Sequence, residues 1–260
     1  MVKLVAGTLQ LQKLFQNVLP LKRQIECPIR FTSLGAQINF IFPSGENEIG
    51  ILAKFSRRYF GEFESDDEWF IVHRELIEHL KKSFRDDHNV KFWTDSQDVR
   101  TYIRGTESGA YSTFRLRPVD ERMKNQRFQP IIENTGLMPT LASKVLDFNV
   151  QARLTVEQLV ENFQLDKKWE TGLSWDGKTL ELVSRRGFAI FKRKLDSILF
   201  LRRGKPIAVY FDWRNFQDLV KEFVGEVWLG IAKNVVLISQ AEHEYRLTYL
   251  LSAGLVDDEL

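Results

Sequence analysis

Four stretches of the chain share one spacing of apolar residues. Leu11, Leu14, Phe15 and Val18 form the first, and His73, Leu76, Ile77 and Leu80 the second. Val156, Leu159, Val160 and Phe163 form the third, and Phe216, Leu219, Val220 and Phe223 the fourth. The i, i+3, i+4, i+7 interval predicts a short helix with one buried face at each place. The first and third stripes begin 145 residues apart, at 11 and 156, and the second and fourth 143 apart, at 73 and 216. Within each half the two stripes begin 62 and 60 residues apart. Matched offsets of this kind predict an internal duplication of about half the chain, with a weaker one inside each half.

Between these stretches the pattern is that of β-strands. IRFTSLG, AQINFIF, EIGILAKFS, EWFIVH, VKFWTDS, DVRTYIRG and AYSTFRLRP follow one another in the first half. TGLSW, KTLELVS, GFAIFKRKL, KPIAVYF, EVWLGIA, NVVLISQ and EYRLTYLL follow in the second. Each is short, rich in Val, Ile, Phe, Tyr or Trp, and bounded by Gly, Asn, Asp or Ser. Short connections favour antiparallel pairing, because parallel pairs need long crossovers. SWDGKTLEL predicts a hairpin turning at Asp176-Gly177. The segment RPVDERMKNQRFQPIIENTGLMPTLASKV lacks periodicity and carries many polar residues, which marks a linker or functional loop. The expected division is a first domain over 1–120, a connector over 121–144 and a second domain over 145–260.

A chain of 260 residues with 43% hydrophobic residues can bury a core in each of two domains. No run of eighteen apolar residues predicts a membrane span, and the opening MVKLVAGTLQLQKLF lacks the parts of a signal peptide. The single cysteine, Cys27, cannot form an internal disulfide. An intracellular, reducing location is expected, in the cytoplasm or nucleoid, or in the nucleus of a eukaryote. The net charge of +2 names no partner. The basic residues fall in clusters: Arg57-Arg58, Lys81-Lys82, Arg115 to Arg127, Lys167-Lys168, Arg185-Arg186, Lys192 to Lys194 and Arg202-Arg203.

On this order of elements the chain resembles the sliding clamps of the proliferating cell nuclear antigen (PCNA) family, over nearly its whole length. VKLVAGTLQLQKLFQNV is similar to the family's first strand and helix, and VRTYIRGTESGAYSTFRLRPVD to the last two strands of its first domain. VYFDWRNFQDLVKEF resembles the strand and last helix of its second domain, and EYRLTYLLSAGLVDDEL its final strand and acidic tail. The resemblance implies an α+β DNA clamp fold. Two similar domains are built of repeated βαβββ-like units, with antiparallel sheets outside and four helices lining one side. Subunits close into a ring, usually of three, around duplex DNA. A clamp loader, DNA polymerase and other replication and repair proteins are the implied partners, and no cofactor, metal or enzymatic activity is implied. A checkpoint-type clamp of the same fold is the alternative within the family.

The resemblance also implies which residues meet which partner. A processivity factor holds phosphates without reading bases. The polar helix sides offer Lys13, Arg74, Lys81, Lys82, Arg85, Lys167, Lys168, Arg214 and Lys221 for that task, with Gln10, Gln16, Gln158, Gln164 and Gln217 as uncharged donors. Client peptides are expected near Phe128, Pro130, Ile131, Ile132, Leu251, Ser252, Ala253 and Gly254. Family tails commonly carry proline where this chain has Gly254, which predicts a less rigid pocket rim. Subunits are expected to join through AYSTFRLRP of one chain and RGFAIFKRK of the next. There Phe114 and Leu116 on one strand face Phe188 and Ile190 on the other, while Arg115 and Arg117 approach Lys192, Arg193 and Lys194. Apolar contact favours a homotrimer, and like charge favours a ring with more acidic sister subunits.

Enzymatic motifs are sparse. No phosphate loop, H-E-x-x-H or paired C-x-x-C occurs, and His73, His79, His88 and His243 lack metal spacing. The pairs Asp66-Asp67 and Asp86-Asp87 leave a metal-dependent nucleic-acid enzyme as the alternative from another class.

Overall fold

The computed structural model describes residues 1–21, 24–44, 47–95, 100–115, 119–120, 130–131, 140–141, 148–160, 170–186, 188–233 and 235–255. Two compact units make up the chain. Unit 1 holds Met1–Phe40, Ile51–Arg127 and Ala241–Leu247; unit 2 holds Ile41–Gly50, Phe128–Gln240 and Thr248–Leu260. The first half of the chain runs β1 (Val2–Gly7), α1 (Thr8–Val18), β2 (Glu26–Thr32), β3 (Gly35–Ser44), β4 (Asn47–Ser56), β5 (Glu62–Ser65), β6 (Glu68–His73), α2 (Arg74–Ser83), β7 (Asn89–Asp95), β8 (Arg100–Gly105) and β9 (Tyr111–Arg115). Two short strands, β10 (Pro130–Ile131) and β11 (Thr140–Leu141), pair antiparallel in the connecting region. The second half runs β12 (Val150–Thr155), α3 (Val156–Val160), β13 (Glu170–Trp175), β14 (Leu180–Arg186), β15 (Ala189–Lys194), β16 (Leu199–Arg203), β17 (Ile207–Phe211), α4 (Trp213–Val220), β18 (Glu226–Ala232), β19 (Val235–Ala241), β20 (Tyr245–Ser252) and β21 (Gly254–Leu255).

The duplication is visible in the strand order. One sheet in the first half is ordered β5-β1-β7-β8-β9, and the second half repeats it as β16-β12-β18-β19-β20. The run β4-β3-β2-β6 recurs as β15-β14-β13-β17, with β21 added beyond β17. β1 runs antiparallel to both its neighbours, as does β12. The Asp176-Gly177 hairpin joins β13 to β14, with Gly177 at φ 96° and Asp176 Oδ1 accepting the amides of Lys178 and Thr179. Strands β1, β5, β12 and β16 and the two-residue β10, β11 and β21 lie outside the apolar runs expected to be strands, β1 being expected from the resemblance alone; they are short, or pass directly into a helix.

The register of the repeat differs from the stripe offsets. α1 begins at Thr8 and α3 at Val156, 148 residues on, while α2 begins at Arg74 and α4 at Trp213, 139 on. The stripe offsets of 145 and 143 miss these by about one helical turn. An apolar stripe repeats itself every turn, so it locates a helix and leaves the alignment free by one turn. The glutamines fix the register. Gln10 Oε1 accepts the amide of Gly7 and its Nε2 donates to Tyr59 O. Gln158, 148 residues later, accepts the amide of Thr155 and donates to Asp196 O. Each ties the start of its helix to the chain that follows the repeat's fourth strand.

In unit 1 the α1 stripe Leu11, Leu14, Phe15 and Val18 is fully buried, as are Leu76, Ile77 and Leu80 of α2. Phe92 of β7 sits at the centre, with ring centroids 6.2 Å from Phe15, 5.4 Å from Phe70 and 6.5 Å from Phe31. Fully burying one such side chain contributes about 1.5–3 kcal/mol. Unit 2 repeats the plan with Leu159 of α3 and Phe216, Leu219 and Val220 of α4 buried, and Phe211 packed 4.8 Å from Phe216. His73, expected as a packed stripe residue, is instead the N-cap of α2: its Nδ1 accepts the amide of Glu75. Asp212 caps α4 in the same way.

The turn after α2 is fastened to the β8–β9 turn through Asp87. Its carboxylate accepts the Ser108 hydroxyl at 2.6 Å and the amides of Ser108 and Glu107 at 2.8 and 2.9 Å. A Cβ on Gly105 would stand 2.2 Å from that carboxylate, so a larger residue there would push Asp87 out of this position. The hydrogen bond from the Ser108 side chain, aided by the two amides, holds the Asp87 pKa below its ordinary value. A depressed carboxylate stabilises the fold above its unfolded pKa of about 4, and the contribution disappears as pH falls through the folded value. Ser108→Ala is expected to cost about 1 kcal/mol at neutral pH, a few degrees in melting temperature. The gap between wild type and variant should close in melts below about pH 4; parallel curves down to full acid unfolding would contradict the assignment.

Candidate nucleic-acid interface

Within unit 1, α1 packs beside α2, and within unit 2, α3 packs beside α4. Burial of the apolar residues of α1, α2 and α4 leaves mostly polar residues on the opposite sides, with Leu9 of α1 exposed among them. On unit 1 this side carries Lys81 and Lys82, both exposed in the last turn of α2, where positive charge also complements the helix dipole. Arg85 is exposed just beyond, its Nε 3.4 Å from Asp86. Lys13 of α1 is half-exposed, with Nζ 5.8 Å from the centre of the Tyr245 ring. On unit 2 Arg214 and Lys221 are exposed, and Lys221 lies 3.8 Å from Asp218. Glu75 and Glu78 are exposed on α2 as well, so the surface is mixed rather than purely basic. Lys167, Lys168, Phe163 and Gln164 lie outside the described residues.

Other expected members of this surface serve the fold. Arg74 donates from Nε to Gln24 O at 3.1 Å, and from Nη2 to Leu19 O at 2.9 Å and Leu21 O at 2.5 Å. Its guanidinium thereby closes the α1–β2 connection, and Arg74 is left out of the phosphate-facing set. Gln10 and Gln158 are left out for the same reason: their amides complete the two helix starts.

Two strand edges stand at the ends of their sheets, β9 in unit 1 and β15 in unit 2. Side chains alternate along each. On β9, Ser112 and Phe114 turn toward α2, where the Phe114 ring packs 5.0 Å from His79, and Tyr111, Thr113 and Arg115 turn away. On β15, Phe191 and Arg193 share the face of the buried Ser184 and Leu182, and the Arg193 guanidinium donates to Gln158 O. Ile190, Lys192 and Lys194 lie on the other face. So Phe191, not Ile190, shares the helix side with Phe114, while Arg115 falls with Ile190 and Lys192. Phe188 precedes β15 and is fully exposed. Leu116 and Arg117 lie outside the described residues. A cavity of about 220 Å³ opens beside β9, lined among others by Phe70, Leu76, Thr101 and Phe114.

No protein-family model matches this chain, and no curated protein sequence does. Solved structures do match, over nearly all of it. A PCNA2–PCNA3 complex from Sulfolobus tokodaii aligns at TM-score 0.69 and 15% identity, over 96% of this chain and 98% of its own. PCNA from Thermococcus kodakaraensis aligns at 0.71 and 12%, over 97% and 100%. The A. fulgidus PCNA bound to the C-terminal region of FEN-1 aligns at 0.71 and 11%, over the whole of both chains. The fold is that of the PCNA sliding clamps. At such identities the likeness carries architecture, and function has to be reasoned from the surface of this chain.

In this clamp fold the tail departs from the expected loose rim. Gly254 pairs with Tyr210 and Leu255 with Val209, so β21 fastens the backbone to β17. Ser252 Oγ accepts the amide of Glu48 at 2.8 Å. Leu251 is buried, whereas Ser252, Ala253 and Gly254 reach the surface. Pro130 and Ile131 are described in backbone only, and Phe128 and Ile132 lie outside the described residues.

The acidic pairs of the enzymatic alternative have protein partners. Asp66 and Glu68 receive the N-terminal amine. Asp67, at φ 65° in the β5–β6 turn, accepts both Nε and Nη2 of Arg30 at 2.6 Å. Asp86 pairs with Arg85, and Asp87 anchors the turn described above.

Proposed function

We propose that the chain is a subunit of a DNA sliding clamp, a non-enzymatic ring that holds duplex DNA and gathers polymerase and other replication or repair proteins. The observation that carries this reading is the position of the exposed cations. Lys13, Lys81, Lys82, Arg85, Arg214 and Lys221 all lie on or just beyond helices whose opposite sides are buried against sheets. Long flexible cations on a polar surface suit phosphates and carry no base readout. The fold shared along its full length with PCNA structures supports placing those helices on the DNA side. Edge strands β9 and β15 support ring closure through strand pairing. The surface at Ser252 to Gly254 supports client docking beside a backbone held by β17, a setting suited to extended peptides. The experiment that tests the reading is topological: a closed ring survives on circular DNA and slides off a free end.

A further inference from the structure

The β5-β1-β7-β8-β9 sheet has a second face, turned away from α1 and α2, that the clamp reading leaves without a role. Alternation assigns it residue by residue. Val90, Phe92 and Thr94 of β7 are buried, so Lys91, Trp93 and Asp95 point the other way. By the same alternation Arg100, Tyr102 and Arg104 of β8 share that face, with Tyr111, Thr113 and Arg115 of β9 and Lys3 of β1. The cross-strand register sets Lys3 beside Trp93, Trp93 beside Tyr102, Lys91 beside Arg104 and Arg104 beside Tyr111.

The three rings form one cluster. Trp93 and Tyr102 stack at 5.3 Å and 11°, and Tyr111 lies 6.2 Å from each. A sheet-stabilising aromatic pair is complete with Trp93 and Tyr102. Tyr111 adds a third ring on an edge strand, 55% exposed. Around the cluster stand five exposed cations, Lys3, Lys91, Arg100, Arg104 and Arg115. Among the described residues Glu62 and Glu64 of β5 and Asp95 share this face: Glu64 stands opposite Lys3 and Asp95 opposite Arg100, so the cations beside the rings that carry the argument are Lys91, Arg104 and Arg115.

We propose that this face binds single-stranded nucleic acid, with bases against the Trp93–Tyr102–Tyr111 cluster and phosphates on Lys91, Arg104 and Arg115. Aromatic rings on an open antiparallel sheet stack bases of any sequence, and surrounding cations track the backbone. A duplex keeps its base faces stacked inside and gains nothing from the rings, so strandedness is the discriminating property. Tyr, Trp and Arg are also common anchors of protein interfaces. The excess of cations over acids around the rings favours a polyanion carrying aromatic faces. The site belongs to unit 1 alone and does not rest on the clamp reading.

The test is fluorescence anisotropy of a labelled oligothymidylate of about 12 nucleotides, within the span one such domain covers, against a duplex of equal length. The single strand should bind the wild type more tightly than the duplex. Tyr111→Ala, and Lys91→Ala with Arg104→Ala, should each weaken it about tenfold, the scale of one lost stacking contact. Tyr111→Phe, which keeps the ring, should bind as wild type, and melting curves check that each variant folds. Alanine at Lys81, Lys82 and Arg85 should leave single-strand binding unchanged while weakening duplex association, so the two readings fail separately. Absence of oligothymidylate binding at low salt would overturn the proposal. So would loss through the helix variants alone, or binding of polyglutamate, and not oligothymidylate, through the same sheet residues.

Discussion

Replacing Lys81, Lys82 and Arg85 together by alanine is expected to weaken duplex association strongly at low salt and to flatten its salt dependence. Each phosphate neutralised on a duplex adds about 0.9 to the slope of log affinity against log salt. Three lost contacts lower that slope by about 2.7, which is roughly fortyfold less loss of affinity between 50 and 200 mM salt. All three side chains are exposed, so the change in stability should stay within about 0.5 kcal/mol. Arg74→Ala, two turns earlier on the same helix, should behave in the opposite way. Its guanidinium holds three carbonyls of the α1–β2 connection, so its loss should lower stability by about 1–3 kcal/mol and leave the salt slope alone. Filter binding across a salt series, with melting curves of the same proteins, separates the two. An unchanged slope in the triple variant would remove α2 from the DNA side.

Reversing charge at one strand edge is expected to change who the ring neighbours are. Arg115 on β9 and Lys192 and Lys194 on β15 fall on the side away from the helices, so pairing of two identical chains through these edges would gather like charges. Like charges across paired strands are destabilising, and assemblies use such repulsion to reject wrong partners. On the helix side the same pairing would bring Phe191 toward Phe114 and the 220 Å³ cavity, an apolar contact that favours association. With charge in control, the chain alone is a monomer or a weak oligomer at low salt, and added salt strengthens it by screening. Arg115→Glu should then tighten self-association by about tenfold at low salt and cancel the gain from salt, each opposed pair being worth up to about 1 kcal/mol. Sedimentation at both salt concentrations reads this. A stable wild-type trimer at low salt, indifferent to the substitution, would leave the apolar contact in control and make the ring a homotrimer.

Much of this architecture was legible in the sequence, and the limits have physical causes. The apolar stripes locate α1, α2, α3 and α4, because a helix on a sheet must bury a stripe. They could not align the repeat, since a stripe looks the same one turn along; only the Gln10 and Gln158 hydrogen bonds do so. Alternation identifies most strands. It missed β5, whose sequence EFES is acidic, and β12, which passes into α3 without a break. In the sequence the polar helix sides form one class, yet Arg74 and Gln10 differ from Lys81 only in what lies within their reach. That depends on where the α1–β2 and β4–β5 connections pass, which no local pattern encodes. At the edges, Ile190 and Phe191 are adjacent and equally apolar. Assigning one to the helix side requires the register of β15 on β14, since a slip of one residue exchanges the faces. The Trp93, Tyr102 and Tyr111 cluster needed the same knowledge for three strands at once.

A clamp subunit is defined by its place in a closed ring around DNA, and a closed ring is a topological property. The protein, purified together with the chains that co-assemble with it, is loaded by a clamp loader onto a nicked circular plasmid and passed through a sizing column at salt high enough to remove phosphate-bound protein. An equal sample is cut once with a restriction enzyme beforehand. A ring stays with the circle and is lost from the linear molecule. Loss from both, or equal retention on both, would show ordinary surface binding and exclude a ring.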